Sequence, residues 1–116
     1  MIELPKKRFG NRHGLLFCNF RVYVQVNRHD DQLVEVFVDV DLAEGTTLVE
    51  HGHLIGRLVS HALRGGASVT DIIGDLIVTI GDPKGAVTEG PPGITQAVSL
   101  ANLVGQVMQW ELIYGT

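Results

Sequence analysis

Two stretches of strict alternation, one long amphipathic run and a charge-free C-terminal segment divide this chain. Within Leu15 to Asn27, Val22, Val24 and Val26 point one way while Arg21, Tyr23, Gln25 and Asn27 point the other, the period of a half-buried strand. Leu33 to Asp41 repeats the pattern, with Val34, Val36, Val38 and Val40 opposite Glu35, Phe37, Asp39 and Asp41. The polar turn between them, Arg28 to Gln32, is of hairpin length, so the two strands are expected to pair antiparallel. A bare hairpin is marginal in water. A helix or a third strand is therefore needed on the valine face, and Leu15 to Phe20 can supply part of that strand.

The cover comes next in sequence. Leu48, Ile55, Leu58, Val59, Ala62 and Leu63 recur near 3.6 residues and predict a helix over Thr47 to Leu63. Thr47 and Glu50 fit a capping box at its start. Arg64 suits the carbonyl end of the dipole, and Gly65 and Gly66 can take the left-handed geometry that stops a helix. Beyond them Ser68 or Thr70 can cap a second helix, with Asp71 in its first turn and Ile72, Ile73 and Leu76 facing inward. Ile77 to Ile80 is β-branched and fits either more helix or a short strand. Residues 81–93, with Gly81, Gly85, Gly90, Gly93, Pro83, Pro91 and Pro92, read as a long loop.

Ile94 to Tyr114 carries Ala97, Ala101, Val104, Met108 and Leu112 at helical spacing, with no charge before Gln109. A helix without a charged face is covered on more than one side. Ala97, Ala101 and Gly105, four apart, permit close helix approach. With little chain left to cover them, Ala97, Ala101, Val104, Gly105 and Met108 are expected to form a homodimer interface. The architecture expected is α+β: an antiparallel hairpin or three-stranded sheet packed against two to three helices.

Composition narrows the class. The chain has 116 residues and 45% apolar content, the profile of one folded domain over 1–116. No apolar run reaches the ~18 residues of a membrane span, and no signal peptide is evident at MIELPKKRFG. The single cysteine, Cys18, cannot close an internal disulfide and fits a reducing, cytoplasmic setting. The net charge of −4 is uneven. Lys6, Lys7, Arg8, Arg12, Arg21 and Arg28 lie within residues 1–28 against Glu3 alone, and residues 1–14 read as a basic arm. No nucleic-acid motif follows the arm, so it is expected to lie on an acidic face of its own fold or of a second subunit, with nucleic acid disfavoured.

The chemistry-bearing residues gather on the central helix. His53, Arg57 and His61 share one face, where a polar site or a metal could sit. Glu50, His53 and His61 are the candidate zinc ligands, although HExxH is absent and Asp39 or Asp41 could join them only if the sheet's polar face met that helix face. Surface or interface histidines are the blander reading, and no cofactor is expected. Arg57 and His61 on that face are candidate ligand-binding residues. Cys18, among Leu16, Phe17 and Phe20, reads as a small buried apolar residue rather than a nucleophile. Gly81-Asp82-Pro83-Lys84-Gly85 lacks the phosphate-loop pattern. Trp110 and Tyr114 read as packing anchors.

Several of these segments together resemble a known family. Glu35-Val36-Phe37, Gly45, then Leu58, Ser60, Leu63, Arg64 and Gly66, and finally Ile72-Ile73 with Leu76, are similar to the TSCPD domain. That domain is found at the C-terminus of adenosylcobalamin-dependent ribonucleotide reductases and in small stand-alone relatives, whose opening resembles LPKKRFG here. Gly90-Pro91-Pro92-Gly93 falls where the name-giving Thr-Ser-Cys-Pro-Asp segment would be, and the motif cysteine is missing, with Pro91 nearest. The resemblance implies a non-catalytic accessory or interaction domain. It would act by self-association and by docking to ribonucleotide reductase or another larger partner, with a nucleotide or phosphate near Arg57, Arg64 and Lys84. The alternatives are a small metal- or nucleotide-binding protein using the His53, Arg57 and His61 face, and a purely structural oligomer.

Overall fold

Cys18 and Asn19 both take positive φ, 51° and 69°, and reverse the chain in a two-residue turn. The predicted strand over Leu15 to Asn27 is therefore broken into β1 (Phe9–Phe17) and β2 (Phe20–His29). Asp30 and Asp31, at 50° and 63°, make a second such turn into β3 (Gln32–Val40), where the sequence placed a hairpin. The chain's shape is taken from a computed structural model describing residues 3–6 and 8–115; Met1, Ile2 and Lys7 of the basic arm lie outside the described residues.

The architecture is α+β, with two more strands than the sequence reading counted. After α1 (Thr47–Arg64) and α2 (Val69–Ile77) come β4 (Gly85–Glu89) and β5 (Gln96–Ala97), then α3 (Leu100–Tyr114). The strands form one sheet in the order β3-β2-β1-β4-β5, antiparallel at every pairing. Two expectations are thereby corrected. Residues 9–14, read as arm, are strand paired to β2, and the 81–93 loop contains β4. Neither segment alternates apolar and polar residues, because Gly10, Gly14 and Gly85 stand where side chains would mark the period.

Register divides the sheet into two faces. Leu15, Val22 and Val40 lie in line, as do His13, Val24 and Val38, and Asn11, Val26 and Val36. This is the core face, completed by Val49, Val59 and Leu63 of α1, Ile73 of α2 and Leu103, Val104 and Met108 of α3. The opposite face presents Arg12, Tyr23 and Asp39, with the Arg12 guanidinium 4.6 Å over the Tyr23 ring.

The helix ends depart in detail from the sequence reading. Thr46, not Thr47, precedes α1; its hydroxyl donates to the Ala43 carbonyl and caps no amide. The buried stripe of α1 runs through Val49, Gly52, Gly56, Val59, Ser60 and Leu63, leaving Leu58 exposed. Of the two terminal glycines only Gly66 is left-handed, at 91°. Ser68 does cap α2, accepting from the Asp71 amide at 3.3 Å. The C-terminal helix starts at Leu100 rather than Ile94, capped by Ser99 at the Asn102 amide, 2.8 Å away.

Candidate functional site

α1 lies against the outer edge of β3 at backbone contact. A Cβ on Gly56 would stand 2.9 Å from the Val36 carbonyl oxygen, so only glycine lets the helix settle there. One turn on, Ser60 Oγ accepts from the Val36 amide at 2.9 Å and donates to the Val36 carbonyl at 3.0 Å. The helix thereby satisfies an edge strand that would otherwise present unpaired groups.

This contact leaves a groove of about 250 Å³ between the outer face of β3 and one side of α1. Glu35, Phe37 and Asp39 line it from the strand, and His53, Arg57, His61 and Arg64 from the helix. The sequence-predicted helix face is thus one wall of a real depression. Glu35 and Phe37 were missed as site residues, although their place opposite the valines of β3 put them on the polar face that meets α1.

The groove's charges are not balanced within it. Glu35 is taken by Arg8, whose Nε and Nη2 reach its two oxygens at 2.5 and 3.1 Å, and by Asn27 Nδ2 at 3.0 Å. Asp39 is taken by Arg12 Nη1 at 3.1 Å, with His53 Nε2 at 3.5 Å. Both carboxylates are engaged by arginines of the N-terminal segment. Arg57, His61 and Arg64 have no acidic partner among the described residues, and the Arg64 Nε is buried with no hydrogen-bond acceptor. What the groove offers a visitor is positive charge beside a phenyl ring.

The remaining arginines of the basic N-terminal segment are used in the same way. Arg21 pairs with Glu89, which raises its pKa further, and Arg28 lies 4.0 Å from Glu111. The acids that these four arginines meet are the chain's own.

Other site residues do not converge. Lys84 is exposed and immediately precedes β4, on the far side of β1 and β2 from β3, so it does not join Arg57 and Arg64. Glu50 is exposed in the first turn of α1 and lines no part of the groove. Asp39 does meet His53, but no group of three His, Cys, Asp or Glu that could hold a metal exists among the described residues. The set Glu50, His53 and His61 is therefore not a formed metal centre.

The residues expected at a dimer interface are occupied inside the chain. Ala97 lies in β5, not in a helix with Ala101. Val104 and Met108 are fully buried, and a Cβ on Gly105 would stand 2.9 Å from the Leu76 Cβ. The close approach that the small residues permit is used by α2. Only Ala101 keeps partial exposure.

A second polar cluster lies on the core face and had no signal in the pattern. Glu111 of α3 is fully buried. Asn11 Nδ2 donates to its two oxygens at 3.1 and 3.2 Å, and His13 Nε2 stands 3.3 Å away. Arg28 Nη2 donates to the Glu111 carbonyl at 2.5 Å. Trp110 meets His13 edge-on with ring centroids 5.3 Å apart, a packing contact, while Tyr114 beside it is exposed.

With this geometry in view, comparison with known families gives one result: the TSCPD domain matches residues 4–112. The chain belongs to the TSCPD domain family. No curated protein and no solved structure matches it. In this TSCPD domain the segment Gly90-Pro91-Pro92 follows β4 and lies beside His13 and Trp110. The thiol is elsewhere, half-buried in the β1–β2 turn at Cys18, where burial pushes its pKa up. No helix among the described residues is long and apolar enough to cross a membrane.

Proposed function

We propose that this TSCPD domain is a non-catalytic accessory module that docks onto a larger partner of the ribonucleotide reductase type, the enzymes with which the domain is associated. The docking element is the β3–α1 groove, and what it receives is an anionic group. One observation carries the reading: Arg8 and Arg12 engage both groove carboxylates, so Arg57 and Arg64 face the opening uncompensated. Arg57 is exposed and Arg64 half-buried with its Nε out of water, and guanidinium groups bind carboxylate or phosphate oxygens with directional, charge-assisted bonds. The one hydroxyl in the groove wall, Ser60, is held on both sides by Val36, which supports recognition rather than nucleophilic chemistry.

The anionic group has two candidate sources, an acidic segment of the partner or a nucleotide phosphate. Affinity capture from the native host, with the wild-type chain and an Arg57→Glu, Arg64→Glu double variant, tests the docking. Recovery of a large partner by the wild type and its loss in the variant is the expected result; a wild-type chain that recovers nothing but itself would overturn the reading. Calorimetric titration with ATP and with inorganic phosphate separates the sources. Binding of either at micromolar concentration moves the assignment to the nucleotide.

A further inference from the structure

β1 is left half-unpaired by the topology. β4 meets it only at Leu16 and Phe17. The Cys18 amide donates to the Ala86 carbonyl, so even-numbered residues turn their backbone groups towards the β4 side. Gly10, Arg12 and Gly14 therefore hold N–H and C=O groups outward with no strand opposite them among the described residues. After Glu89 the chain cannot continue along this edge, because Pro91 and Pro92 carry no amide hydrogen to donate. Open edges of this kind are pairing templates.

We propose that a second copy of the chain closes this edge, β1 against β1, about a two-fold axis through Asn11. The sequence of the edge is self-complementary in that register. Arg8, just before β1, is followed on its outer face by Gly10, Arg12 and Gly14. An axis at Asn11 sets Arg12 opposite the partner's Gly10 and Arg8 opposite the partner's Gly14, so no cation faces a cation. An axis one residue later would set Arg12 against the partner's Arg12, a destabilising cross-strand pair.

The core face gives an independent argument for the same register. Phe9 is 73% exposed and lies on the face that carries Asn11 and His13. The axis at Asn11 brings it opposite the partner's His13. That histidine, with Trp110, Pro91 and Pro92, lines an open cavity of about 390 Å³ beside the unpaired edge. Each copy thus seats its Phe9 in the other's cavity while the two sheets join into one. The β3–α1 groove lies two strands away and is reached from this edge by the Arg8 and Arg12 side chains.

Sedimentation velocity across the micromolar range tests the pairing. The wild-type chain is expected to dimerise. Arg12→Pro deletes the central outward amide without touching the β1–β2 ladder, and Phe9→Asp puts a charge in the cavity. Each should weaken the dimer at least about tenfold, with Arg12→Ala keeping it. Far-UV circular dichroism confirms that the variants fold; should Arg12→Pro not fold, Phe9→Asp decides alone. A monomeric wild type, or a dimer that the folded variants leave intact, overturns the proposal.

Discussion

Ser60 and Val36 close a two-way hydrogen bond between a helix side chain and a strand backbone, with both partners buried. Ser60→Ala removes one partner and strands an amide and a carbonyl on β3 without water. Each unsatisfied buried group costs about 1–3 kcal/mol, so with two stranded the expected loss of stability is about 2 kcal/mol or more. The urea midpoint should fall with an unchanged slope. A loss under about 0.5 kcal/mol would mean that water reaches the β3 edge and that α1 does not seal it.

Gly105 tests where the small residues of α3 are used. The Leu76 Cβ and the Ile77 amide nitrogen, at 2.9 and 3.2 Å from a Cβ built there, leave no room for a methyl group. Gly105→Ala should cost about 1–3 kcal/mol through overpacking of α2 on α3. The shift in Tm should not depend on protein concentration. A shift that vanished on dilution would return Gly105 to an intermolecular contact.

The sequence exposed whatever repeats and hid whatever glycine interrupts. The valine alternation marked β2 and β3, and the run from Thr47 to Arg64 marked α1, because burial of one face forces a period. β1 and β4 have no such mark, since Gly10, Gly14 and Gly85 put no side chain where the period needs one. The helix face bearing His53, Arg57 and His61 was legible, while its opposite wall was not, because placing Glu35 and Phe37 there needs the crossing of α1 over the edge of β3. What covers α3 was not legible for a related reason: an uncharged helix declares that it is covered, not by whom, and Val104, Gly105 and Met108 are covered within the chain. Glu111 was invisible altogether, as a lone acid near a C-terminus gives no hint of the Asn11 and His13 that bury it.

Arg8 touches no ligand in the groove, yet its removal should weaken anion capture there. Arg8→Ala frees Glu35, 6% exposed, to repel an incoming carboxylate or phosphate from the groove wall. A several-fold loss of partner affinity is expected, and Arg8→Lys should restore part of it. Unchanged affinity in a folded Arg8→Ala variant would show that the groove's own acids do not govern its selectivity.

Burial raises the Cys18 pKa, so its thiolate is scarcer at neutral pH than that of an unstructured cysteine. Alkylation of the folded chain should be slower than in denaturant at the same pH, and should accelerate as pH rises above the usual thiol range. The proton is held more tightly in the folded state, so this contribution to stability is complete below the ordinary thiol pKa and is lost as pH climbs through the raised one. Equal alkylation rates in the two states would remove the desolvation argument.

Glu111 carries the heaviest single burden in the core, a fully buried carboxylate shared by β1 and β2. Asn11 and His13 satisfy its oxygens from β1, and Arg28 of β2 binds its carbonyl while standing 4.0 Å from one carboxylate oxygen. Glu111→Ala leaves the Arg28 charge uncompensated and the Asn11 amide without an acceptor. Breaking one side of a buried ionic network costs about 3–5 kcal/mol, which is a large share of a small domain's stability. Glu111→Gln keeps the shape and one acceptor, and should cost less. Replacing Glu111 together with its β1 partners is different in kind: a Glu111→Leu, Asn11→Val, His13→Leu chain strands no Asn11 amide and should recover part of the loss, the rest staying with the Arg28 charge, which keeps its bond to the residue 111 carbonyl. Chemical denaturation of the three variants checks the order. A triple variant no more stable than Glu111→Ala would mean that the cluster fixes the register of α3 on the sheet and cannot be replaced by apolar packing.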